Sequence, residues 1–291
     1  MGLFKNPISL ISLTLLLLSV FGGFSVSRAA TDNTDLVYKG CANQSFADPI
    51  LTQTLNNLFN SLVAQSSKTK FYKTNSGGGQ ASISGLFQCR GDLSNDDCYK
   101  CVSKIPGMSN SLCGSTVAGR IQLIGCYALY EVSGFPQVSG YQMLFKTCSR
   151  SQAAGSGFEM RRDTAFSTME NGVLGNNAGY YAATYEGVYV LGQCEGTLSS
   201  GDCGDCVKSA VQKAQVECGS SISGQVYLHK CYMSYAYYPN GISKKSFSGG
   251  GSHQNTGKTI AIVVGGVAAV GFAFICLMFL RSLMKKHDGK Y

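Results

Sequence analysis

The sequence predicts an α+β protein: two tandem disulfide-rich domains, each an antiparallel β-sheet packed on two helices, followed by a single transmembrane helix. Three observations lead to this prediction. Residues 88–101 read QCRGDLSNDDCYKC, and residues 193–206 repeat the same cysteine spacing as QCEGTLSSGDCGDC. Runs with period-two apolar alternation stand beside segments with helical periodicity, as expected of sheets covered by helices on one face. An apolar segment also stands near each end of the chain.

The first apolar segment is predicted to be a signal peptide, residues 1–30. Lys5 precedes an apolar run that ends in the small residues of SVSRAA. This order is typical of a secretory signal, with cleavage after Ala29 or Ala30. A signal anchor that stays in the chain is the alternative. Secretion would place the cysteines that follow in an oxidising compartment, where disulfides persist.

The second apolar segment, residues 259–280, is predicted to be a transmembrane helix. It has no charged residue, and at about 1.5 Å per residue it reaches about 33 Å, enough for the hydrocarbon core of a bilayer. Residues 246–258 are rich in Gly and polar residues and are interpreted as a flexible stalk. The tail, residues 281–291, is basic and therefore predicted to be cytosolic. Its cations are Arg281, Lys285, Lys286 and Lys290.

Small residues recur on one face of the predicted span. Gly265, Ala269 and Ala273 follow one another at four-residue steps, a pattern that permits close approach of two helices. We therefore expect a homo-oligomer that forms through the membrane helix. Cys276, near the cytosolic end of the span, is a candidate for S-acylation.

Twelve cysteines between the two apolar segments form two sets of six. The first set has spacings of 48, 9, 3, 12 and 13 residues, and the second has 46, 9, 3, 12 and 13. Four successive spacings agree, so the chain contains an internal duplication. The predicted domains are residues 31–135 and 136–245. Spacing alone leaves 15 pairings open for each set of six cysteines.

Each domain is predicted to contain two helices. Asp48 and Pro49 form an N-cap and first-position pair before an apolar stripe with helical spacing. Ser94 with Asp97, and Ser199 with Asp202, have the capping-box spacing before the second helix of each domain. The stripe consists of Ile50, Leu51, Leu55, Leu58, Phe59 and Leu62.

The two CxxC pairs, Cys98/Cys101 and Cys203/Cys206, also invite a zinc or a redox interpretation. Structural disulfides are favoured, because the chain has only three histidines and the predicted compartment is oxidising. No GxSxG, HExxH or P-loop motif is present. We therefore expect no catalytic residue, no metal and no cofactor.

The charge distribution argues against nucleic-acid binding. The formal net charge of the chain is +8, but residues 31–258 carry 18 basic and 15 acidic residues, a net charge of +3. A nucleic-acid-binding domain would be expected to have a concentrated basic surface.

The repeated C-x8-C-x2-C motif resembles the plant cysteine-rich domain named for ginkbilobin, also called the stress-antifungal domain, over roughly residues 35–240. Two such domains followed by one span and a short tail, without a kinase, resemble the plasmodesmata-located protein family. The resemblance implies a five-stranded antiparallel sheet with two helices. It also implies six disulfides: Cys41–Cys113, Cys89–Cys98, Cys101–Cys126, Cys148–Cys218, Cys194–Cys203 and Cys206–Cys231.

The resemblance to ginkbilobin, a mannose-binding antifungal protein, also implies a sugar site in the first domain. Arg120 and Glu131 match two of its sugar contacts, and Asn43 lies one residue after the position of the third. Arg and a carboxylate can grip vicinal hydroxyl groups through charge-assisted hydrogen bonds. A cross-strand ion pair between Arg120 and Glu131 is the alternative. Asn43 also begins the sequon Asn43-Gln-Ser45, so it is a candidate for N-glycosylation.

The family implies a non-enzymatic, single-pass type I receptor-like protein in the plasma membrane at plasmodesmata, with apoplastic domains and a cytosolic tail. It implies regulation of cell-to-cell transport and plant defence, partly through callose deposition. The expected partners are other plasmodesmal membrane proteins or receptor-like kinases, callose synthase complexes, viral movement proteins and a wall glycan. Two alternatives stay open: a membrane-tethered mannose-binding lectin or co-receptor in antifungal defence, and an apoplastic thiol sensor that uses the CxxC pairs.

Overall fold

The computed structural model describes residues 32–133, 139–154, 157–175 and 179–239. These residues form two five-stranded antiparallel sheets, each with its own helices. The first domain contains β1 Leu36–Cys41, α1 Pro49–Ser66, β2 Phe71–Ser76, β3 Ile83–Cys89, α2 Asn95–Val102, α3 Ile105–Leu112, β4 Ala118–Leu123 and β5 Cys126–Val132. The second contains β6 Met143–Cys148, α4 Phe158–Gly175, β7 Tyr180–Tyr185, β8 Val188–Cys194, α5 Ser200–Cys218, β9 Ser223–Leu228 and β10 Cys231–Tyr237.

The two sheets have the same topology. The strand order is β1-β4-β5-β3-β2 in the first domain and β6-β9-β10-β8-β7 in the second, and all neighbours are antiparallel. The predicted α+β class and the duplication are therefore confirmed.

The predicted caps start the helices. The Asp48 side chain accepts a hydrogen bond from the backbone N–H of Ile50 at 2.8 Å. Ser94 Oγ accepts from the N–H of Asp97 at 3.0 Å, and Ser199 Oγ accepts from the N–H of Asp202 at 3.2 Å. Each hydroxyl thereby satisfies a backbone donor that the first helical turn leaves unpaired.

Each domain has its own hydrophobic core between the helices and one face of the sheet. In the first core, Leu58 and Leu62 of α1 are buried with Phe87 of β3. In the second, Phe166 and Met169 of α4 are buried with Val190 of β8. Ile50 was expected on the apolar stripe of α1, but its side chain is 64% exposed, because it precedes the part of the helix that lies on the sheet.

The first domain has three helices where the sequence predicted two. The segment after the third cysteine is broken into α2 and α3, and Pro106 lies in the first turn of α3. Proline has no backbone N–H, and inside one continuous helix its ring would clash with the carbonyl of Val102. Val211 holds the equivalent position in the second domain, where α5 continues without a break.

Six disulfides close the two frameworks. The pairs in the structure are the same pairs that the resemblance implies. In each domain one bridge links the first strand to the end of the last helix, and the other two fix the helix after the third cysteine to the sheet. The pairs are Cys41–Cys113, Cys89–Cys98, Cys101–Cys126, Cys148–Cys218, Cys194–Cys203 and Cys206–Cys231.

Several predictions fall on residues outside the described ranges: the signal peptide, the stalk, the transmembrane helix and the cytosolic tail. The proposed packing face of Gly265, Ala269 and Ala273 lies there too. Within the described ranges, no helix combines the length and the apolar character needed to cross a bilayer.

Candidate functional site at the junction between the two domains

The two domains meet through the sheet faces that are turned away from their helices. Gln88 and Gln193 each precede the second cysteine of their domain, and each side chain reaches across the junction. Gln88 Oε1 accepts a hydrogen bond from the N–H of Gly196 at 3.0 Å. Gln193 Oε1 accepts from the N–H of Gly91 at 3.0 Å, and its Nε2 donates to the carbonyl of Cys89 at 2.8 Å. Each glutamine therefore holds the loop of the other domain.

Both loops depend on a glycine at the point of contact. A Cβ at Gly91 would lie 2.4 Å from Cγ of Tyr180, and one at Gly196 would lie 2.6 Å from Cγ of Phe71. Phe71 and Tyr180 occupy the same place in the two domains, since each is paired with the junction glutamine of its own sheet. The contact is therefore made twice, with approximate two-fold symmetry.

Aromatic rings extend this contact along the first strands. Tyr38 of β1 stacks on Phe145 of β6 with ring centroids 5.2 Å apart. Tyr227 of β9 stacks on Tyr232 of β10 at 5.1 Å, and Tyr38 meets the edge of Tyr227 at 5.5 Å. Burial raises the pKa of the Tyr38 and Tyr232 hydroxyls above the ordinary value, so both stay neutral.

Charged groups break the approximate symmetry. Glu195 has a fully buried side chain and accepts hydrogen bonds from Lys230, from Thr197 and from the hydroxyl of Tyr127 in the other domain, the last at 3.1 Å. Burial alone would raise the pKa of this carboxyl, but the hydrogen bonds from Lys230, Thr197 and Tyr127 hold it below its ordinary value. In the first domain Arg90 occupies the equivalent position and forms a bidentate pair with Asp92.

Arg120 crosses from β4 to the second domain. Its Nη1 donates to the carbonyl of His229 at 2.9 Å, and its guanidinium lies 3.9 Å from the ring centroid of Tyr127. Nη2 donates to Oε1 of Gln122 at 3.3 Å. Arg120 thus contributes a hydrogen bond and a cation–π contact to the junction.

His229 lies beside these cations. Burial lowers the pKa of its imidazole, and the nearby charges of Arg120 and Lys230 lower it further, while Glu195 acts in the opposite direction. Its Nδ1 is buried and has no hydrogen-bond partner among the described residues. A neutral imidazole therefore fits this place better than a charged one.

The three predicted sugar-binding residues, Arg120, Glu131 and Asn43, do not converge on one site in this structure. Arg120 and Glu131 share one face of the first sheet, since Arg120 is opposite Leu129 and Glu131 is opposite Ala118. The Arg120 guanidinium, however, extends over Tyr127, on the side away from Glu131. Asn43 is exposed just after β1. The structure therefore uses Arg120 in the junction, where a grip on a sugar would first require its release from His229.

The crevices that remain at the junction are small. Two of them, lined in part by Gln88, Gln193 and Tyr232, have volumes of about 10 Å³, which is room for about one water molecule. No group of three or more His, Cys, Asp or Glu side chains in the described ranges is arranged to hold a metal ion. The arrangement suits a fixed joint between domains rather than a cavity for a small ligand.

The motifs that the sequence offers do not single out these junction residues. Gln, Gly and Tyr recur at the same offset from the cysteines in both domains, but the repeat by itself indicates a shared fold and not a contact between the domains. A repeated polar residue on the face turned away from the core was the available signal. The residues concerned are Gln88, Gly91, Tyr127, Gln193, Gly196 and Tyr232.

Comparisons with known proteins agree with this fold. The salt stress response/antifungal domain family matches residues 40–133 and 147–238. Plasmodesmata-located protein 2 of Arabidopsis thaliana is 55% identical, over 97% of this chain and 98% of the relative. The chain belongs to the plasmodesmata-located protein family.

Two further comparisons support this membership. Plasmodesmata-located protein 1 of Arabidopsis thaliana is 50% identical over 89% of this chain and 91% of the relative. The crystal structure of the tandem DUF26 ectodomain of the cysteine-rich receptor-like protein PDLP8, from the same plant, is similar with a TM-score of 0.65 and 28% identity. It covers 70% of this chain and 98% of the solved chain. In this family member, as in that ectodomain, the domains come as a tandem pair.

Proposed function

We propose that this protein is a non-enzymatic, receptor-like membrane protein of plasmodesmata that regulates transport from cell to cell. The observation that carries the proposal is the identity of 55% and 50% with plasmodesmata-located proteins 2 and 1, over most of each chain. Likeness at this level extends through both domains and beyond them, so it supports a shared cellular location and role.

Scaffolding is the mechanism that the described residues support best. The domains are joined by hydrogen bonds between side chain and backbone, by stacked rings and by a buried carboxylate, so the pair would present one rigid surface to partners. Callose deposition would be promoted through a callose synthase complex, because the sequence has no nucleotide-binding motif of its own. Receptor-like kinases, other plasmodesmal membrane proteins, viral movement proteins and a wall glycan are further proposed partners.

The proposed topology follows from the sequence. The signal peptide would bring residues 31–258 to the apoplast, residues 259–280 would span the plasma membrane, and residues 281–291 would face the cytosol. The small residues Gly265, Ala269 and Ala273 would form the contact between two copies. In this arrangement the ectodomain receives signals from the wall and the membrane helix gathers the complex.

The structure gives less support to the lectin alternative, because the guanidinium of Arg120 is engaged with His229 and Tyr127. A glycan array distinguishes the lectin hypothesis from the scaffold hypothesis. Mannose binding that is lost in the Arg120→Ala variant but kept in Arg161→Ala would restore the lectin hypothesis. Arg161 is a suitable control, because its partner is Glu186 in the second domain.

Expression in plant epidermis tests the proposal. A C-terminal fluorescent fusion should give paired puncta in the walls that coincide with callose stain. Raised expression should also reduce the spread of a freely diffusing fluorescent protein into neighbouring cells. The control is the same fusion with residues 259–280 replaced by an unrelated span. A uniform plasma-membrane outline, or spread that does not change with expression, would overturn the proposal.

A further inference from the structure

The two most exposed large apolar side chains among the described residues lie at one end of the second domain. Val216 is 82% exposed and Met160 is 75% exposed. Tyr185, which is 38% exposed, ends β7. We call these three side chains the apolar end.

Several contacts hold the parts of the apolar end together. Met160 lies in the first turn of α4 and Val216 in the last turn of α5. Arg162 of α4 donates to the carbonyl of Gly219, just after α5, and Ser220 donates to Glu159 at 3.0 Å. The helix ends are therefore neighbours.

The turn after Tyr185 belongs to the same end. The ion pair of Arg161 with Glu186 has an N–O distance of 3.1 Å. Arg161 also donates to the hydroxyl of Tyr237 at 3.2 Å, and the N–H of Tyr238 donates to the carbonyl of Gly187 at 2.8 Å. The start of α4, the β7–β8 turn and the end of β10 therefore meet here, at the opposite end of the strands from Gln193 and the junction.

The chain leaves the fold at this end. The last described residue is Pro239, two residues after β10, and the predicted span begins at residue 259. The 19 residues between them reach at most about 65 Å even when fully extended. The chain therefore leaves toward the predicted span from the end that carries Met160, Tyr185 and Val216, while the first domain is joined to the other end.

The duplicated domain gives an internal comparison. Phe59 makes the same edge contact with Tyr130 that Phe166 makes with Tyr235, so the two phenylalanines occupy equivalent positions. Gln53 and Met160 each lie six residues before these phenylalanines and therefore correspond to each other. Ser111 and Val216 each lie two residues before the fifth cysteine of their domain, so they correspond as well. Ser76 and Tyr185 end the equivalent strands β2 and β7. All three positions are polar in the domain that is not next to the tether, although the fold is the same.

The charges at this end do not favour a strongly charged partner. Arg161 is paired with Glu186, and Lys146 is paired with Glu217. Apolar and tyrosine side chains among paired charges are suited to the interface of a bilayer, where Tyr and aliphatic groups enter the headgroup region.

We infer that the apolar end rests on the outer leaflet of the membrane that the chain spans, and that it fixes the ectodomain on the lipid surface. The partner is a zwitterionic phospholipid surface. This inference rests on the membrane anchor of the proposed function, and the experiment therefore reports the anchor and the contact separately.

The test uses fluorescence, because the chain has no tryptophan. Full-length Met160→Trp and Val216→Trp variants are reconstituted in phosphatidylcholine vesicles, with plain or with brominated acyl chains. The matched control is Ile50→Trp, which places the probe at an exposed residue in the first turn of a helix of the first domain. Flotation with the vesicles reports whether the chain is anchored.

Brominated chains should lower the emission of the two probes about twofold, as expected for side chains that enter the interface, and should leave the control unchanged. Equal quenching of all three variants in anchored protein would overturn the inference. Protection of the Met160→Trp probe from acrylamide without quenching by brominated lipid would also overturn it and would indicate a protein contact. Failure to float would instead refute the anchor, and with it the proposed membrane topology.

Discussion

The two domains share a covalent framework but differ at equivalent positions along it. At one position Pro106 divides the helical segment of the first domain, while Val211 continues α5 in the second. At another, Arg90 of the first domain corresponds to Glu195 of the second, and the two residues form different ion pairs. The comparison teaches that the same strand order and disulfide framework accommodate different residues at these positions. At the junction, by contrast, the difference between Arg90 and Glu195 makes the two halves of the contact unequal.

The largest expected effect comes from exchanging the helix residues between copies. Val211→Pro should lower the free energy of unfolding of the ectodomain by about 3 kcal/mol, because proline removes a backbone hydrogen bond inside α5 and clashes with the preceding turn. Pro106→Val should cost less, since the break between α2 and α3 already exists. Urea unfolding of both variants checks this. Equal losses in the two variants would contradict the expectation that proline is tolerated only where the helix is already broken.

The buried carboxylate should give the next largest effect. Glu195→Gln leaves Lys230 without its charged partner and should cost about 2 kcal/mol at neutral pH. Because the folded pKa of Glu195 is lowered, its contribution is present above the unfolded value and is lost as pH falls through the folded pKa. The difference between wild type and variant should therefore shrink in acid.

Thermal melts at pH 7 and in acid measure this difference. The control is Glu217→Gln, which removes an exposed carboxylate paired with Lys146 and should leave the melting temperature unchanged. A pH-independent gap between wild type and Glu195→Gln would contradict the assignment of the charge to the junction.

A smaller effect is expected from the glycines that the two copies share. Gly91→Ala and Gly196→Ala each place a methyl group against a ring of the other domain and should cost about 1 to 2 kcal/mol. Separation of the domains should also increase the radius of gyration in small-angle scattering. Gly201→Ala is the control, because a Cβ there meets only Ser199 Oγ at 3.9 Å. If all three variants behave alike, the junction is not closely packed.

The smallest effect should come from the imidazole at the junction. The folded pKa of His229 is lowered by burial and by the cations beside it, so wild-type stability should decline as pH falls below the ordinary histidine value of about 6.5. His229→Gln has no titrating group and should decline less over the same range. Unfolding free energies at pH 7 and pH 5 test this, and parallel curves for the two proteins would refute it.

The repeated cysteine spacing and the helix starts could be predicted from the sequence, because each depends on residues that are close together in the chain. Asp48 and Ser94 begin helices as their positions indicate, since a cap needs only the next few residues. The break at Pro106 was also readable, because proline excludes a continuous helix, but the capping box before it suggested one helix. Local signals were therefore sufficient for most of the fold.

The junction could not be predicted, because it depends on the relative placement of residues more than 100 positions apart. Gln88 and Gln193 look like ordinary polar residues of a strand until the other domain supplies the N–H groups that they bind. Arg120 matches a sugar contact of ginkbilobin, but in this chain the second domain accepts a hydrogen bond from its guanidinium. A duplication can thus change the use of a residue without changing its position.

The disulfide between Cys206 and Cys231 has a mechanical consequence. A pull on the proposed membrane anchor would enter the fold through β10, whose last residue, Tyr237, is close to the point where the chain leaves. At its other end β10 begins at Cys231, which is bonded to α5, and Cys203 and Cys218 bond α5 to β8 and β6. Tension would therefore pass into a covalent network after the seven residues of β10. The second domain would therefore resist extension between the first domain and the proposed membrane anchor.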